Sequence, residues 1–120
     1  MLTIKADRME VKFYRTLDGK CPVEDYLDEL SSKQVEKVLW TLRAVRTLHP
    51  VPAQYLQKMT ATNDLWEVRV TLAGNIFRLL GFYDETRALV LAHGFTKKTQ
   101  KTPPREIETA ERRKYEYENR

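Results

Sequence analysis

The 120-residue sequence predicts an α+β fold in the order β-α-α-β-β-β-α: an antiparallel sheet of about four strands, packed on an N-terminal helical hairpin and followed by a C-terminal helix. Three observations predict it. Apolar residues recur at steps of three and four from residue 22 to 48 and again from 103 to 119, the period of amphipathic helices. Runs of strand type separated by turn residues fill positions 65–95. A chain of this length builds one hydrophobic core and is too short for two, so residues 1–120 read as a single domain.

Taken in order, Met9, Val11 and Phe13 alternate with Glu10, Lys12 and Tyr14 up to Thr16, the period of a half-buried strand. Asp18-Gly19-Lys20 turns the chain. Residues 1–8 show no period, and a strand opening at Met9 suggests a natural start there, with 1–8 an extension before it. Pro22 opens a short helix with Val23, Tyr26, Leu27 and Leu30 on one face and Glu24 and Asp25 favourably placed in its first turn. Ser31 and Gln34 fit a capping box for a second helix, whose stripe is Val35, Val38, Leu39, Leu42, Val45 and Leu48. His49-Pro50-Val51-Pro52 ends it. Gln54–Asp64 reads as an irregular surface segment. Then Leu65–Leu72, Ile76–Tyr83 and Ala88–Phe95, separated by Gly74-Asn75 and by residues 84–87, make a three-stranded meander. Thr102-Pro103-Pro104 starts the last helix, with Ile107, Ala110, Lys114 and Tyr117 along one stripe.

Composition narrows the class. With 42% hydrophobic and 32% charged residues the chain can fold and is not generally disordered. No apolar run approaches the roughly 20 residues of a membrane span, and the start lacks the apolar core of a signal peptide, so a soluble cytoplasmic protein is expected. Cys21 is the single cysteine, which excludes an internal disulfide and a cysteine-based zinc site. No acids or histidines stand at metal-ligand spacing, and neither a glycine-rich phosphate loop nor a nucleophile elbow is present. No cofactor is expected.

The net charge of +4 is local. His93 to Arg105 holds Lys97, Lys98, Lys101 and Arg105 with no acid among them, at the exit of a strand where several donors can meet one polyanion. Arg69 lies on the polar face of the first meander strand, and Arg78 interrupts the apolar second one. An arginine is almost never fully buried unless paired, so Arg78 needs either a structural carboxylate, Glu67 on the neighbouring strand, or a groove to line. His93 is the one side chain there that exchanges protons near neutral pH without a large shift. Together these groups suit metal-free RNA cleavage: a 2′-hydroxyl attacks phosphorus, a base takes its proton, an acid protonates the leaving 5′-oxygen, and fixed cations hold the phosphorane. Arg69, Arg78, His93, Lys97 and Lys98 are the candidate catalytic residues; Lys58, Lys101 and Arg105 are candidates for RNA binding.

The blocks Leu65-Trp66-Glu67-Val68-Arg69-Val70, Gly74-Asn75-Ile76-Phe77-Arg78-Leu79-Leu80 and Leu91-Ala92-His93-Gly94-Phe95-Thr96-Lys97-Lys98-Thr99-Gln100-Lys101-Thr102-Pro103, in that element order, resemble a toxin of the RelE/ParE superfamily, most of all its HigB-like, phage-derived branch. The resemblance spans Met9 to Asn119. It implies a RelE-like fold and an endoribonuclease that cuts mRNA, on the ribosome or free of it, and arrests translation. It also implies an antitoxin encoded beside it, commonly a helix-turn-helix DNA-binding protein. The family's basic positions fall on Arg69, Arg78, Lys97 and Lys98, whereas Glu67 stands where some relatives carry a basic residue. Two rival readings belong to other classes: a ParE-like inhibitor of DNA gyrase without enzymatic activity, and a plain nucleic-acid-binding module.

Overall fold

Three residues, Val11–Phe13, are enough for the first strand, β1, because a parallel neighbour fixes them: Val11, Lys12 and Phe13 pair with Leu89, Val90 and Leu91. The computed structural model describes residues 9–97 and 101–120, so the segment 1–8, and with it the suggested start at Met9, lies outside the described residues. The remaining elements are α1 (Pro22–Asp28), α2 (Ser32–Thr47), β2 (Leu56–Lys58), β3 (Trp66–Leu72), β4 (Asn75–Tyr83), β5 (Leu89–Lys97) and α3 (Pro104–Glu118). They form an α+β fold around one five-stranded sheet of order β1-β5-β4-β3-β2, antiparallel except for β1 with β5.

The fifth strand corrects the expected count of about four. Leu56–Lys58, read from sequence as irregular, pairs with Trp66–Val68 at the sheet edge. Its three residues are too few to display a two-residue period, and only Leu56 is buried.

Local chemistry explains most boundaries. Ser31 accepts a hydrogen bond from the backbone N–H of Gln34, whose side chain accepts one from the N–H of Ser31, so the predicted capping box closes α2. The β3–β4 turn is Ala73-Gly74, both at positive φ, and Asn75 already belongs to β4. That is the backbone twist a two-residue hairpin demands. Between β4 and β5 the register slips at Leu80/Gly81, from Leu80 opposite His93 to Gly81 opposite Leu91. At this bulge a Cβ on Gly81 would collide with the carbonyl oxygen of Val90, so the position accepts only glycine without a shift.

Both sheet faces are covered. On one, Val23, Tyr26 and Leu27 of α1 and Val38, Leu42 and Val45 of α2 share a core with Val68, Val70, Phe77, Leu79, Leu89 and Leu91. Both predicted helices are present, and they pack on the sheet more than on each other: α1 rests on β5 and α2 on β3. Leu39 and Leu48, expected within the buried stripe of α2, are 46% and 42% exposed. A helix lying on a sheet buries a narrow stripe, and Leu39 is turned about 100° from Val38 around the axis. On the other face α3 packs Ala110 and Ile107 against Leu65, Leu80 and Phe95, and Tyr117 against Phe82. No helix among the described residues is long and apolar enough to cross a membrane.

Candidate functional site

Strand alternation and register place nine side chains of β3, β4 and β5 on the α3 face as a grid. One row reads Glu67, Leu80, His93; the next reads Arg69, Arg78, Phe95; a third brings Lys97 beside Ile76 and Thr71. Rows of neighbouring residues on one face lie within reach of long side chains, directly or diagonally. Arg69 and Arg78 stand directly opposite each other, an arrangement that repels unless an acid intervenes.

Glu67 is that acid. Its Oε2 ion-pairs with Nη1 of Arg78, and its Oε1 lies 3.7 Å from Nε of Arg69. Glu67 and Arg78 are 5% and 4% exposed. One carboxylate does not satisfy the whole guanidinium, however: among the described residues, Nε and Nη2 of Arg78 are buried with no hydrogen-bond partner. Lys97 is 4% exposed as well, and its Nζ lies 3.5 Å from Oγ1 of Thr102. Burial pushes the Lys97 ammonium below its ordinary value, and the charges of Arg78 and Arg69 push the same way, against the pull of Glu67. Three cations thus surround one acid, and Arg69 is the most accessible of them. The cluster therefore holds fixed, partly desolvated donors in excess of the one carboxylate among them.

His93 has a different surrounding. Its Nε2 lies 2.6 Å from Oε1 of Glu106 and its Nδ1 3.2 Å from Nη1 of Arg113, both on α3, and the ring stacks on Phe95. Because a guanidinium only donates, Nδ1 is the acceptor, which assigns the ring proton to Nε2, donating to Glu106. Burial lowers the imidazole's pKa, Arg113 and Arg112 of α3 add to this, and Glu106 opposes it. Arg113 also donates to the carbonyl of Ala92 at 2.8 Å. Both ring nitrogens are therefore engaged in fastening α3 to β5.

The other sequence candidates distribute as follows. Lys97 was expected just after the last strand; it is instead the final residue of β5, because the ladder continues to Ile76. Lys98 lies outside the described residues. Lys58 pairs across from Trp66, so alternation gives it the opposite sheet face from Arg78, and its Nζ lies 3.2 Å from Asp64. Lys101 is an exposed residue just before α3. Arg105, in the first turn of α3, is exposed and 3.9 Å from Glu106. Tyr117 donates to Asp84 beyond the far end of β4 from Arg78, tying down the end of α3. Sequence reasoning counted Glu67 only as a structural partner. The signal for more was present in the chain: an arginine interrupting an apolar strand, diagonal to an acid that already has a second arginine beside it.

The structure is a small α+β protein with a basic cluster, Arg69, Arg78 and Lys97 around Glu67, on one sheet face. Residues 25–115 match the family model described as phage-derived protein Gp49-like, DUF891. The chain belongs to this Gp49-like family, a family of RelE/ParE-like toxins. A comparison of the sequence with curated proteins gives no match.

Proposed function

We propose that this protein is a RelE-fold toxin of the HigB-like branch, a cytoplasmic endoribonuclease that cuts mRNA and is neutralised by an antitoxin from the adjacent gene. The observation that carries this reading is the Arg69–Arg78–Lys97 cluster around Glu67, with two buried guanidinium nitrogens unpaired among the described residues. Membership of a toxin family supports it.

The residues divide the chemistry among themselves. Glu67 takes the proton from the 2′-hydroxyl as that oxygen attacks phosphorus. Arg69 and Arg78, fixed on adjacent strands, stabilise the charge that develops on the phosphorane. As the bond from phosphorus to the 5′-oxygen breaks, Lys97 supplies the proton; its lowered pKa makes it a better acid than an ordinary lysine. The products are a 2′,3′-cyclic phosphate and a 5′-hydroxyl, and exchange with water restores both side chains. His93, with both nitrogens engaged by α3, supports the position of β5.

Mapping RNA ends after induction tests the reaction. Cyclic phosphate and 5′-hydroxyl ends are expected. Ends bearing a 5′-phosphate would overturn it, as would intact mRNA together with stabilised gyrase–DNA cleavage complexes.

A further inference from the structure

The outer face of α2 carries a large aromatic side chain that the core does not use. Trp40 is 46% exposed. The Nζ of Lys37 lies 4.3 Å from its ring centroid, and Tyr55 meets it edge to face at 5.8 Å and 80°. α2 carries four cations, Lys33, Lys37, Arg43 and Arg46, against the single acid Glu36; of these, Lys37 lies over the Trp40 ring and Arg43 lines a cavity with it.

This aromatic group adjoins the basic cluster. A cavity of about 400 Å³ is lined by Lys37, Thr41, Gln54, Tyr55, Arg69 and Thr71. Arg69 is thus shared between the cluster that holds Glu67 and the cavity that leads to Tyr55 and Lys37. The backbone joins them too, since the N–H of Arg69 donates to the carbonyl of Tyr55 at 3.0 Å. The register with β2 ends at Val68, and beyond the Arg69–Tyr55 hydrogen bond β3 runs on beside this cavity without a strand partner on that side among the described residues.

We infer that Trp40, with Tyr55, Lys37 and Arg43, is a subsite for single-stranded RNA, taking a base that flanks the scissile phosphate. The inference rests on the ribonuclease reading above. An exposed aromatic ring supplies the stacking surface, and neighbouring cations hold the backbone; these are the two components of sequence-tolerant single-strand binding. The charge around Trp40 favours a polyanion over an apolar peptide. Leu39 and Leu48, exposed on the same helix, offer the contrary case of a protein contact, which the experiment separates.

The sequence contains two tryptophans, so a Trp66→Phe variant leaves Trp40 as the sole reporter. Titrating it with a short 2′-O-methyl oligoribonucleotide, which binds without being cut, should quench the fluorescence; inorganic polyphosphate, which has charge but no bases, should not. Trp40→Ala should weaken oligonucleotide binding on the order of tenfold. Its salt dependence should stay unchanged, because no cation is lost. Binding without any change in Trp40 fluorescence overturns the subsite, as does unchanged affinity in Trp40→Ala. So does a Trp40→Ala protein that keeps its RNA affinity and loses only capture by the antitoxin. RNA cleavage with silent fluorescence sinks the subsite alone, and quenching without cleavage sinks the ribonuclease reading alone.

Discussion

Arg78 and Glu67 sit diagonally on neighbouring strands and form a buried ion pair, yet Nε and Nη2 of the same guanidinium have no partner among the described residues. Removing one member of a buried pair strands the other's charge. Glu67→Ala should therefore cost about 3–5 kcal/mol of stability. Replacing both by apolar residues of similar volume, Glu67→Leu with Arg78→Met, should leave stability nearly unchanged or raised, while cleavage is lost. Urea denaturation and an RNA cleavage assay on the same preparations check both halves. Full activity in the folded double variant would show that the pair is structural only.

Lys97 should trade stability for function. Its folded pKa is lowered, chiefly by burial, whereas the unfolded chain keeps it near 10.5. The unfolded state then binds more protons between those two values, so stability rises with pH across that window. Lys97→Met should match or exceed the wild type in thermal stability at neutral pH and lose the Lys97 contribution to that slope. It should also lower the cleavage rate on the order of 100-fold to 1000-fold.

His93 gives a second pH signature, on the acid side. Its folded pKa is lowered from 6.5, mainly by burial, so the unfolded state binds more protons just below that value. Stability should fall as pH drops from about 6.5 through the lowered folded pKa, as protonation at Nδ1 sets two donors, His93 and Arg113, against each other. His93→Gln should flatten this part of the stability profile. The cleavage rate should retain its dependence on Lys97, which a rate–pH profile of the variant would reveal.

Two glycines should differ when enlarged. At Gly81 the added methyl meets the backbone carbonyl of Val90; at Gly94 it meets the ring of Tyr26, whose hydroxyl is hydrogen-bonded to Thr96 at 2.8 Å. Backbone in the middle of a sheet yields less than a side chain. Both substitutions should destabilise by about 1–3 kcal/mol, Gly81→Ala more than Gly94→Ala, in chemical denaturation.

Neutralisation is a prediction about a partner. Expression of this chain with the protein encoded beside it should restore growth and yield a complex that survives size-exclusion chromatography. A neighbour that neither binds nor restores growth removes the antitoxin from the proposal.

Periodicity carried the architecture in the sequence. The capping box at Ser31 and Gln34, the proline-led starts of α1 and α3, and the three long strands each depend on residues close in the chain, and each stands where local chemistry puts it. β2 escaped because a three-residue edge strand is defined by its neighbour's hydrogen bonds. The buried extent of α2 was overestimated because its hydrophobic residues wrap further around the helix than the sheet can cover, leaving Leu39, Trp40 and Leu48 outside.

Residue type alone singled out Arg69, Arg78, His93 and Lys97, since charge within apolar strands demands a reason wherever it occurs. Register sorted them. Pairing across β3, β4 and β5 set Arg69 against Arg78, brought Lys97 to the neighbouring row, and placed His93 where α3 could engage both its nitrogens. The contacts of Glu67 with Arg78 and of His93 with Glu106 and Arg113 have no signature in any local window. Hydrogen-bond pairing between distant strands decides them, and with them which cations keep unpaired donors for an anion and which are neutralised within the fold.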